Sequence, residues 1–237
     1  MALFGSIVST VISAACSVGS AICSGLSKAA STIGGFVSGS LESLSKIIAK
    51  IPEIDIIEKT IEVIGNIVKG ISETLGLIDK EDTPEELGAK AFQAEEKPED
   101  FDSVEKYIEY LKNEVELDKE KFDNMSKEEK LTCSAVGSTV LAKGISEKKG
   151  IEVSTEFLVD VAKLDLKAKE VESYIDNFKA NNLELNLGDY LKGNLSASEN
   201  IKIRPVVIDT IKELNPNLSD KEVKEKLGDM KDLSLEK

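Results

Sequence analysis

Residues 54–78 read IDIIEKTIEVIGNIVKGISETLGLI, and this stretch decides the fold class. Its aliphatic residues Ile54, Ile57, Ile61, Ile64, Val68, Ile71, Leu75 and Ile78 alternate steps of three and four without an error. That is the period of one helix face, whereas a half-buried strand repeats every second residue. Three heptads with β-branched residues at nearly every inward position favour association of more than two helices, so the stretch is expected to act as an oligomer seam. Gly65, Gly70 and Gly76 weaken the helix locally and permit close contacts.

Upstream, the serines at Ser6, Ser9, Ser13, Ser17, Ser20, Ser24, Ser27 and Ser31 are spaced 3, 4, 4, 3, 4, 3 and 4 apart. The other side of the same helix carries Phe4, Val8, Val11, Ile12, Ala15, Val18, Ile22, Leu26, Ala29 and Ile33. Serine is a mediocre helix former, because its hydroxyl competes for backbone partners, so propensity does not explain eight in register. Gly34 and Gly35 interrupt the helix and, with Gly39, allow backbones to approach closely. The pattern resumes over 36–51 through Val37, Leu41, Leu44 and Ile48, and Pro52 closes it. The expected arm is therefore a helix over 3–33, a second over 36–51 and a third over 54–77.

Charge divides the chain at Ile78. Through that residue five lysines meet six carboxylates, so almost all of the net charge of −14 falls on residues 79–237. Residues 79–102 are acidic, contain Pro84 and Pro98, and read as a linker with one short helix begun by Thr83-Pro84-Glu85-Glu86, a capping-box pattern. Residues 103–237 read as short amphipathic helices over 103–118, 126–146, 154–163, 167–180, 187–192, 205–214 and 219–227. Ser126 with Glu129, and Pro205 at a first helical turn, mark starts. The expected fold class is all-α: an N-terminal amphipathic helical hairpin or coiled-coil-like arm over 1–78, followed by a small acidic helical domain.

Composition excludes much. A net charge of −14 with Arg204 as the only arginine argues against nucleic acid as a partner, since phosphate affinity needs clustered cations. Histidine is absent, which removes the usual general base near neutral pH, the commonest metal ligand and every Ser-His or Cys-His nucleophile. Cys16, Cys23 and Cys133 form neither a disulfide framework nor a zinc spacing. Ser43-Leu44-Ser45-Lys46 and Ser146-Glu147-Lys148-Lys149 fit Ser-x-x-Lys, but without partner motifs chance accounts for both. No enzyme, no cofactor and no metal are expected. Residues 1–27 carry no charged side chain, so the basic start of a secretory signal is missing and the segment reads as mature protein.

In its chemistry the 6–31 face resembles the lipid-packing-sensor helices: few charges, small polar residues on one side, aliphatics on the other. The resemblance covers about 30 residues and implies membrane lipid as a partner. The leading expectation is a non-enzymatic, membrane-active or delivered protein, such as a pore-forming toxin or a phage or injection-system component. In it the arm contacts a bilayer or sister chains, and the acidic domain contacts a protein partner. Two alternatives are a structural or adaptor subunit held by the Ile seam without lipid, and an acidic immunity or antitoxin-type binding protein.

Overall fold

In the computed structural model, residues 54–235 are described, together with 41–42, 45–46 and 49, with their side chains except at 54–57. Every regular element among the described residues is helical, so the chain is all-α. The helices are α1 (Ile54–Thr74), α2 (Pro84–Gln93), α3 (Val104–Asn113), α4 (Lys119–Asp123), α5 (Lys127–Lys149), α6 (Thr155–Lys163), α7 (Ala168–Ala180), α8 (Leu187–Lys192), α9 (Ala197–Leu214) and α10 (Asp220–Leu235). They form two compact units, Met1–Lys148 and Lys149–Lys237. The line drawn by charge at Ile78 and the line drawn by contacts at Lys148 are thus different lines through the chain.

In the first unit α5 is the axis. Leu131, Thr132, Cys133, Ala135, Val136, Gly137, Ser138, Thr139, Val140, Leu141, Ala142, Gly144 and Ile145 are all buried, so it is covered on every side and not along one stripe. Its many small residues make this possible, because neighbouring backbones can come close all round. Helix α2 crosses at a glycine pair: a Cβ on Gly88 would overlap the Cys133 carbonyl, and one on Gly137 would overlap the Pro84 carbonyl. Ile108 of α3 and Leu77 cover Gly144.

Helix α1 lies along α5 in the same direction. Glu58 pairs with Lys127 at 2.6 Å, Gly65 faces Ser134 and Ser138, and Leu77, just past the end of α1, reaches Gly144. A left-handed Gly76 (φ 69°) ends α1, and the Leu77 amide donates back to the Ser72 carbonyl at 2.9 Å, the wrapped closure that only glycine accommodates without strain. The segment 79–102 holds α2, with its own buried face at Leu87, Gly88, Ala89 and Ala91. Thr83 caps α2 as its sequence predicts: the Glu86 amide donates to Thr83 Oγ1 at 3.1 Å.

The second unit packs α7 against α9 and α8 against α6, α9 and α10. Its core is built from Phe157, Val161, Val171, Tyr174, Ile175, Phe178, Leu187, Val207 and Ile211. Asn177 Nδ2 donates to Thr210 Oγ1 at 3.1 Å and to Glu213 Oε2 at 2.8 Å, tying α7 to α9. One expected start is corrected: α9 begins at Ala197 under a Ser196–Glu199 capping box, and Pro205 sits inside it. The helix tolerates the missing amide because Ile201, whose carbonyl loses its partner, and Pro205 are both on the exposed face, where water serves instead. Helix α10 also runs on to Leu235, beyond the expected end near 227. Helix α3 stops at Asn113, short of the expected end at 118, and α4 follows in a stretch where no helix is expected.

Candidate functional site

The residues singled out in the sequence fall into two sets. Phe4, Val8, Val11, Ile12, Val18, Ile22, Leu26 and Ile33, the serine face from Ser6 to Ser31, and Gly34, Gly35 and Gly39 lie outside the described residues. Of the Ile seam, Ile54 and Ile57 stand in helical backbone, while Ile61, Ile64, Val68, Ile71 and Ile78 are buried and Leu75 is half-buried. Val68 is 0% exposed and Ile71 1%, with cover drawn from the chain's own fold. Five of the eight seam positions are thus buried, and Ile67 and Leu77 are buried beside them, which widens the face beyond a two-position seam.

The first unit carries an open groove of about 930 Å³ along α2 and the chain after α3, lined by Asp82, Glu86, Lys90, Lys112, Glu114 and Glu116 among others. Its cations serve the fold. Lys112 pairs with Asp79 at 2.8 Å and lies 3.7 Å from Asp82, and Lys90 Nζ donates to the Lys112 carbonyl at 3.0 Å. Lys69 Nζ donates to the Lys80 carbonyl at 2.7 Å and also to the Asp82 carbonyl, fastening the loop after α1. A lysine already satisfied by loop carbonyls and carboxylates is poorly placed to hold an anion.

Several groups have their acidity shifted by burial. Burial pushes the Cys133 thiol up to about 12, so it stays protonated and inert near neutral pH. Burial raises the Tyr107 and Tyr174 phenols well above their ordinary value. Partial burial raises Glu85, against the opposing pull of Lys130. In the second unit, burial opposes the charge on Lys149, but Asp176 and Glu172 more than offset this and hold it above the ordinary lysine value. Asp160 and Lys192 pair at 2.6 Å beside Gly188, whose missing side chain makes room for the carboxylate. Among the described residues no three His, Cys, Asp or Glu side chains are placed to hold a metal ion.

Two buried hydroxyls stand apart. Ser72 Oγ and Ser138 Oγ have no hydrogen-bond partner, although Ser72 is 0% and Ser138 3% exposed. Sequence spacing gives no signal for this, since serine in a helix usually bonds its own backbone. No described helix is long and apolar enough to cross a membrane. Comparison with protein-family models, curated proteins and solved structures found no match.

Proposed function

We propose that this is a non-enzymatic, membrane-active protein whose N-terminal segment engages a bilayer and whose acidic helical units keep the chain in water until it does. One observation carries the reading: residues 1–27 hold no charged side chain, and from Ser6 to Ser31 eight serines keep register opposite aliphatics. Such a face suits the bilayer interface, where hydroxyls meet headgroups and aliphatics enter packing defects. Ile61, Val68 and Ile71 are buried within the chain, so the reading rests on the sequence before α1 and not on the Ile seam. Delivery as a toxin or as part of a phage or injection system belongs to the same proposal. A helical span made only of described residues does not, because no described helix qualifies.

The test uses the full chain with vesicles of phosphatidylcholine enclosing a self-quenched dye. The parent protein should float with the vesicles and release dye. Val11→Asp, Val18→Asp and Ile22→Asp together should abolish both, because each places a carboxylate where apolar cover is needed. A parent chain that stays in the dense fraction and releases nothing ends the proposal. If it also self-associates without lipid, the assembly reading takes its place.

A further inference from the structure

We infer that α1 is a releasable helix: its pairing with α5 is a closed state that opens when the N-terminal segment meets lipid, freeing Ile61, Ile64, Val68 and Ile71 for apolar cover elsewhere. The inference rests on the membrane reading above and adds the moving part and its contact. Seven serine and threonine side chains are buried among the described residues. Five of them, on Ser45, Thr132, Thr139, Thr210 and Ser234, donate to a carbonyl three or four residues back. The two that do not are Ser72 on α1 and Ser138 on α5. Ser138 stands opposite Gly65, where a Cβ would lie 3.5 Å from its Oγ, and Ser72 is two turns further along the same face of α1. Both unpaired hydroxyls therefore belong to the α1–α5 face.

An unpaired buried hydroxyl forfeits its water hydrogen bonds without replacement, so both weaken the closed state, and Ser138 on α5 regains water once α1 leaves. The aliphatic side of the contact loses nothing decisive on release if lipid replaces α5, because Ile61, Ile64, Val68 and Ile71 need only an apolar surround. The ends of α1 suit such a movement. At its start the Glu58–Lys127 pair is a partly exposed clasp of 2.6 Å. At its end Gly76 has a left-handed backbone with nothing within 4 Å of a Cβ, a ready pivot, while Leu77 and Ile78 beyond it stay anchored at 2% and 4% exposure.

A cross-link tests this. In the full chain with Cys16→Ser, Cys23→Ser and Cys133→Ala, Gly65→Cys and Ser138→Cys place two thiols across the contact within reach of a disulfide. Oxidation should yield the intramolecular bond, and dye release from phosphatidylcholine vesicles should fall by at least about tenfold, returning when the bond is reduced. The cysteine-free parent and the two single-cysteine chains should leak equally with and without oxidant. Leakage by the oxidised chain equal to that of its reduced form overturns the inference, and so does failure of the two thiols to cross-link, which would deny the contact itself. A parent chain that neither floats nor leaks instead overturns the membrane reading on which the inference stands.

Discussion

At the scale of single residues, glycine position separates two outcomes. Gly88→Ala or Gly137→Ala puts a methyl group against a backbone carbonyl of the crossing helix, which cannot swing aside, so each should destabilise the first unit by about 3 kcal/mol in urea unfolding. Gly65→Ala meets two serine hydroxyls at 3.5 and 3.7 Å and the Pro84 ring at 3.8 Å, all ordinary contact, and gains helix propensity, so it should be neutral or stabilise by up to about 1 kcal/mol. A reversed order would mean that α2 and α5 do not cross where they are placed. The buried thiol and phenols set a pH dependence. Cys133, Tyr107 and Tyr174 keep their protons in the folded chain above the ordinary values of 9.0 and 10.0, while the unfolded chain gives them up there. The unfolded state then binds fewer protons, so stability falls as pH rises from about 9. The urea midpoint should decline between about pH 9 and 11, more gently in Cys133→Ala, and a level midpoint would contradict the burial of these groups.

At the scale of elements, the boundaries follow caps more closely than they follow apolar period. Ser126 with Glu129 and Thr83 with Glu86 open α5 and α2 where the sequence pattern puts them, because these side chains satisfy amides that no earlier turn can reach. The same rule, applied to Ser196 and Glu199, places the start of α9 correctly, and a proline signal further along the helix competes with it. Pro205 suggested a start because a first turn hides its missing amide; an exposed carbonyl hides it equally well. Ser196→Ala should cost about 1 kcal/mol of stability in the second unit. Pro205→Ala should stabilise that unit by about 1–2 kcal/mol, the restored hydrogen bond exceeding the entropy returned to the unfolded chain. If Pro205→Ala destabilises instead, the residue packs against something on its outer face.

At the scale of the whole molecule, two compact units imply two folding units. Residues 149–237 expressed alone should give a helical far-UV spectrum and one cooperative thermal transition; a molten, non-cooperative product would show that this unit depends on the rest of the chain. The sequence by itself determined that the chain is helical and which side of α1 turns inward, because helix period and capping are local properties that each stretch carries with it. It likewise determined the serine register before residue 34 and the charge contrast at Ile78, and on these the membrane proposal stands. Only the tertiary structure decided what the Ile seam rests against. A hydrophobic stripe records that cover is needed, not which surface provides it: the burial of Ile61, Val68 and Ile71 is non-directional, and α5 is recruited from about 70 residues downstream. The unpaired Ser72 and Ser138 are of the same kind, since a hydroxyl lacks a partner only once two helices have closed over it.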